Sequence, residues 1–214
     1  MLRKRPALFW LAFSALLLPL LSLSLLAQDF SADFVNTGRG RSGSGPTRIY
    51  VANNKMRVET NEGGEMGPGA AIMDFANGKT IILLPQQKMY MESMPKMMQE
   101  HRMWFRPDDV DNACPQYEAM AKKNNPEDHV TCRKVGNDTV NGRPAVKYAG
   151  TSKNGSGFVW VDRKIRFVSK WQDDKGGGEL QNIKEGPQDA SLFVVPPDYH
   201  KFDMQQMMQG RRPR

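Results

Sequence analysis

Six methionines, a tryptophan and a phenylalanine fall within seventeen residues: Met89, Met91, Met94, Met97, Met98, Met103, Trp104 and Phe105. Methionine is flexible and polarizable, so a surface lined with it adapts to irregular apolar ligands. Leu and Ile specify a packed core better, and packing alone rarely calls for so many thioethers. The residues expected to bind an apolar ligand on this basis are Met89, Met91, Met94, Met97, Met98, Trp104 and Phe105. A plainer account is core packing, because Met94, Met97, Met98, His101 and Phe105 recur at helical spacing, as any covered helix requires. A third chemistry is Cu(I) binding, since thioethers are soft ligands. Met94-x-x-Met97-Met98 and Met204-x-x-Met207-Met208 can each present two sulfurs on one helical side. Glutamine neighbours, and a tail without nearby histidine or cysteine, count against that reading, and no metal site is assigned.

Other chemistry-bearing residues are few. Cys114 and Cys132 form an even pair without a C-x-x-C motif, and three histidines (His101, His129, His200) are scattered. In an exported chain such a pair is expected as a disulfide, not a metal or redox site. Its 18-residue separation makes the bridge worth about 3 kcal/mol in the chain-entropy model. G-x-S-x-G, H-E-x-x-H and phosphate-loop motifs are absent, and Ser44 and Ser156 lie in glycine-flanked stretches that position a nucleophile poorly. The expectation is a non-enzyme without a cofactor. Asp108-Asp-Val-Asp111-Asn112 lacks the glycine and distal glutamate of a calcium loop and reads as a solvated linker, with Asn112 or Asp111 as helix cap. Arg57 and Glu59 point the same way on a strand. They read as a surface ion pair, with a latch onto loop carbonyls as the alternative.

These residues need a scaffold, and the sequence describes one made of antiparallel strands. Asn53-Asn54, Asn77-Gly78 and Asn141-Gly142 are hairpin turns between alternating or β-branched runs. Pro85-Gln-Gln-Lys88 turns the chain into Met89–Glu92. Asp162-Arg163-Lys164 separates Gly157–Val161 from Ile165–Trp171. In the latter, Ile165, Phe167, Ser169 and Trp171 alternate with Arg166, Val168 and Lys170, which predicts one buried and one wet face. Glu179–Lys184 is a further strand after a flexible Gly176-Gly177-Gly178. Two helices interrupt the strands, one along the methionine stripe at 94–105 and one at Pro115–Lys123. No repeat and no second domain is visible.

The N-terminus sets the compartment. Met1–Pro6 is basic, Ala7–Leu26 is apolar, and Ala27 closes the run, the order of an export signal. The run is also long enough for an uncleaved anchor. Cleavage after Ala27 leaves 187 residues with 27 basic and 23 acidic side chains, a net charge of +4. That modest excess, part of it in Arg211-Arg212-Pro213-Arg214, excludes nucleic acid as an expected partner. The expected organisation is a signal peptide at 1–27, one domain at 28–204 and a flexible basic tail at 205–214. The mature protein is expected in the periplasm or secreted, and not spanning the membrane.

Residues 30–204 resemble the LolA/LolB-type lipoprotein-carrier superfamily, and more closely an uncharacterised family of secreted bacterial domains with that fold. The matching segments are Lys55-Met-Arg-Val-Glu59, Ile82-Leu-Leu-Pro-Gln-Gln-Lys-Met-Tyr-Met91, Val140-Asn-Gly-Arg-Pro-Ala-Val-Lys-Tyr148, Val159-Trp-Val-Asp162 and Phe193-Val-Val-Pro-Pro-Asp-Tyr199. The resemblance implies an α+β fold, a single curved antiparallel sheet forming a half-open barrel over two or more short helices. It implies an apolar inner face that accepts lipid or acyl chains, and a final strand before Pro196. The function expected is an exported binding protein that holds a lipid or acylated peptide between the sheet and a lid of the helices at 94–105 and 115–123. Since one fold hosts several tasks, an envelope interaction module with a filled core is the alternative function, and an envelope protein a possible partner.

Overall fold

The structure is a computed structural model and describes residues 29–36, 46–60, 68–93, 105–124, 126–153 and 155–202. In chain order the elements are β1 (Phe30–Asn36), β2 (Thr47–Ala52), β3 (Lys55–Thr60), β4 (Gly69–Asp74), β5 (Lys79–Leu84) and β6 (Met89–Ser93). Helix α1 (Cys114–Asn124) follows, then β7 (Thr131–Val140), β8 (Arg143–Ser152), β9 (Gly155–Asp162), β10 (Phe167–Asp173), β11 (Gly177–Glu185) and β12 (His200–Lys201). They form one twelve-stranded sheet in the order β12-β6-β5-β4-β3-β2-β1-β11-β10-β9-β8-β7. The sheet is curved but does not close, so it is the half-open barrel expected. All pairings are antiparallel except the two-residue β12–β6 ladder.

Turn chemistry sets the registers. Asn53 and Asn54 both take positive φ (48° and 59°), as do Asn141 and Gly142 (49° and 76°). Paired left-handed residues make the type I′ turn, whose twist matches the strands it joins. The β4–β5 turn is held instead by Asp74, whose carboxylate accepts from the backbone N–H groups of Ala76 and Asn77, each at 3.0 Å.

Four sequence expectations need correction. Strand β10 begins at Phe167, because Ile165 and Arg166 (φ 52°) belong to the turn closed by the Asp162 carboxylate, which accepts from the Lys164 and Ile165 N–H groups. The clean alternation also fails: a bulge between Val168 and Lys170 inserts Ser169, so Phe167, Val168 and Ser169 are all buried. Gly177 and Gly178 are buried strand residues of β11, not a flexible linker. The expected final strand is a 3-10 turn, Ala190–Phe193, opened by the Asp189 side chain accepting from the Ser191 N–H. The helix expected at Pro115–Lys123 is α1. The other expected helix lies outside the described residues except for Phe105, so one α-helix stands among them.

Candidate functional site

Cross-strand partners share a face, so the pairing registers define two surfaces. One row runs Val51, Met56, Met73, Thr80 and the next Ile49, Val58, Ala71, Ile82, Met91, with Leu84 beside Met89. At the other end of the sheet the same face continues through Gly178, Trp171, Val159 and Tyr148. Helix α1 packs there, which makes this the inner face. The outer face carries Arg48, Tyr50, Arg57, Ile72, Leu83 and Tyr90, and the C-terminal segment covers its β4–β6 part through Val195 and Tyr199.

The helix-bearing half is locked. Phe105, Val110 and Ala113 are buried against Val146, Tyr148, Val161 and Val168. The Tyr148 hydroxyl donates to the Val110 carbonyl oxygen at 2.5 Å and accepts from the Ala113 N–H at 3.3 Å. Burial pushes the Tyr148 hydroxyl above its ordinary pKa. Cys114 and Cys132 are joined with 5.3 Å between their Cα atoms, tying the start of α1 to β7. Glu118, one helical turn on, accepts from the Cys132 N–H at 2.7 Å. Asp111 does not stand at the helix cap. It binds Arg163 through both carboxylate oxygens (2.8 and 2.9 Å) and Lys134 at 2.7 Å, which hold its carboxyl well below the usual range.

The methionine-bearing half is different. Phe30, Ile49, Val51, Met56, Met73 and Leu180 form a cluster with Ile165 and Phe167, and most of its members are fully buried. Beyond it, Val58, Ala71, Ile82, Met89 and Met91 are half-buried. Val58, Ala71, Ile82 and Met91 are consecutive cross-strand partners on β3, β4, β5 and β6. They make an apolar track three strand spacings wide, about 14 Å.

Of the expected ligand residues, Met89 and Met91 therefore share the inner face, at alternate positions of β6. Phe105 belongs to the locked half, packed edge-on to Tyr117 with ring centroids 5.7 Å apart. Met94, Met97, Met98 and Trp104 lie outside the described residues, as do both candidate Cu(I) triplets. Sequence reasoning missed Met56 and Met73, which the register of the Asn53-Asn54 hairpin places beside the track. It also missed Gly178, where a Cβ would lie 2.6 Å from Phe34 Cζ and 2.8 Å from Trp171 Nε1. Only glycine lets those two rings meet over the sheet. Arg57 is not a plain surface pair: it binds Glu59 at 2.9 Å and also donates to the Leu192 carbonyl at 3.1 Å, latching the C-terminal segment to the outer face. Trp160 and Trp171 sit on opposite faces, since Trp171 pairs with Val159 and Trp160 with Lys170.

No family model matches the chain, and no curated protein is similar to it in sequence. Solved structures are similar in fold. An uncharacterized conserved protein from Thermus thermophilus aligns with a TM-score of 0.50 at 14% identity, over 83% of this chain and 91% of that one. PNGF-II aligns with a TM-score of 0.50 at 10% identity, over 86% of this chain but 33% of its own length. A putative outer membrane lipoprotein-sorting protein domain from Vibrio parahaemolyticus aligns at 11% identity over 77% of this chain and 89% of that one, with a TM-score of 0.34. The architecture shared at the level of fold is a half-open antiparallel barrel, and its disulfide fits an envelope or exported protein. Among the described residues no helix is long and apolar enough to cross a membrane.

Proposed function

We propose that this is an exported, non-enzymatic binding protein whose inner face holds a lipid or acyl chain against β3–β6. The observation that carries this reading is the half-buried apolar track of Val58, Ala71, Ile82 and Met91, flanked by Met89. A hydrocarbon chain laid along it removes apolar surface from water on both partners, at about 0.8 kcal/mol per buried CH₂. Methionine side chains adapt to the chain's shape without fixing its identity. The signal peptide at 1–27, the domain at 28–204 and the tail at 205–214 form part of this proposal, as do Met94, Met97, Met98 and Trp104 as further ligand contacts. Helix α1, expected as part of a lid that parts to admit ligand, is a fixed wall in this account instead, since Tyr148, the disulfide and Glu118 all hold it.

Ile82→Glu and Met91→Glu each place a charge on the track without touching the buried cluster. Either is expected to abolish uptake of a fluorescent fatty acid while leaving the thermal unfolding transition in place. Undiminished uptake in both would contradict the site. Charged replacements at Met97 and Met98 test the remaining contacts in the same assay. A second reading, an envelope interaction module with a filled interior, is supported by the complete burial of Phe30, Ile49, Val51, Met56 and Phe167. Under it, both glutamate variants leave fatty-acid uptake at the same negligible level as the parent.

A further inference from the structure

The outer face of β7–β10 carries a feature that ligand binding on the inner face does not use. Lys147 and Lys170 flank Trp160 on neighbouring strands, with Lys147 paired to Trp160 and Trp160 to Lys170. The Lys147 ammonium lies 4.3 Å from the Phe158 ring centroid and 4.7 Å from that of Trp160, and the Lys170 ammonium lies 5.1 Å from Trp160. Trp160 is fixed by its indole N–H, which donates at 2.7 Å to Asp138, an exposed carboxylate on the same face that also feels the charges of Lys147 and Lys170. Lys170 meets a carboxylate only at 3.9 Å, from Glu179, and among the described residues no carboxylate forms an ion pair with Lys147. Arg133 is exposed on the same face, in the cross-strand row that contains Ala149 and Phe158.

Apolar exposure concentrates at the same place. Among the described residues three large hydrophobic side chains are exposed, and two of them adjoin Lys147. Phe158 lies under its ammonium, and Val135 occupies the bulge next to Gly136, the cross-strand partner of Lys147. A buried and an exposed aromatic ring side by side, with lysine ammonium groups resting over them, make this face amphipathic in the way a bilayer interface requires. The rings suit the headgroup level, and the lysine charges beside them attract anionic groups there.

We propose that the outer face of β7–β10, through Lys147, Lys170, Arg133 and Phe158, docks the protein on a bilayer surface that carries anionic headgroups. Charge complementarity selects this occupant: Arg133, Lys147 and Lys170 share this face with two carboxylates, Asp138 and Glu179, which leaves a positive excess, while Phe158 and Val135 expose too little apolar area to bury against a protein core. The dock lies on the opposite side of the sheet from the ligand track, so a docked protein keeps its inner face open.

The test is sedimentation with vesicles of phosphatidylcholine alone or mixed with phosphatidylglycerol. The protein is taken from the export compartment, with its N-terminus established by intact mass. Binding is expected to the mixed vesicles only and to weaken with added salt, because exposed charges are screened. K147Q/K170Q is expected to lower the partition by about 25-fold, roughly fivefold for each lysine. F158S is expected to lower it while leaving the salt dependence unchanged. K122Q/K123Q removes the same charge from the end of α1 and is expected to change nothing. Equal binding to neutral vesicles, or an equal loss in K122Q/K123Q, would overturn the proposal, as would no binding at all. Fatty-acid uptake in K147Q/K170Q stays at the parent level under this account, which separates failure of the dock from failure of the ligand site.

Discussion

Tyr148 shows how much one side chain can hold in this fold. Its hydroxyl satisfies a buried carbonyl and a buried N–H of the segment leading into α1. Tyr148→Phe leaves both groups without a partner, and a loss of about 1–3 kcal/mol in urea unfolding is expected. Because its pKa is raised in the folded protein, this stabilisation is complete below the ordinary tyrosine value of about 10 and lost as pH climbs through the folded value. Asp33 works in the opposite direction. Hydrogen bonds from Asn182 and Arg48 hold its carboxyl below the usual range. Its contribution is therefore present above the ordinary aspartate pKa and lost as pH falls through the depressed folded value. Asp33→Asn is expected to flatten the acid side of the stability–pH curve, and an unchanged slope would remove Asp33 from that account. Neither residue announces its role in the sequence, because each partner is distant in the chain.

At the level of elements, the disulfide and the β7 edge act together. Strand β7 is an outer strand of ten residues, a length that invites pairing with another chain. Glu118 and Asp138 accept from the Cys132 and Thr139 N–H groups, and a bulge at Val135–Gly136 breaks the ladder between them. The Cys114–Cys132 bridge keeps Glu118 within reach. C114S/C132S is expected to lose about 3 kcal/mol in urea unfolding and to aggregate at concentrations where the parent stays monomeric, read by light scattering. Full stability in the double variant would show that Tyr148 and Asp111 alone hold α1. Most elements are legible locally: the Asn-Asn and Asn-Gly turns mark the hairpins, and Pro115 and Pro126 bracket α1. The bulge in β10, and one in β11 where Lys184 faces Ser31 but Gln181 faces Asp33, are not, because a bulge is set by the neighbouring strand and not by the residues that form it. Strand β1 is hidden for a similar reason: Phe30, Ala32 and Phe34 are its only apolar alternation, and its pairing with β2 and β11 comes from opposite ends of the chain.

On the scale of the molecule, the described residues show two apolar coverings on one sheet and a third stretch of it half-buried. The segment at 105–124 seals the inner face of β7–β10, and the C-terminal segment seals the outer face of β4–β6. The track on the inner face of β3–β6 is left half-buried. The resemblance of the quoted motifs to carrier proteins points to such a face, but composition does not place it. Met89 and Met91 belong to it by the period of a strand, whereas the conspicuous methionine pattern in the sequence is helical. Phe105, in the same run of sequence, lies in the sealed half. The central claim is that the track holds a hydrocarbon chain. Native mass spectrometry of the protein, produced in an oxidising compartment, tests it most directly. The account predicts an adduct in the mass range of a fatty acid or phospholipid, present in the parent and absent from Ile82→Glu and Met91→Glu. A bare polypeptide mass in the parent, unchanged after incubation with excess fatty acid, would contradict it.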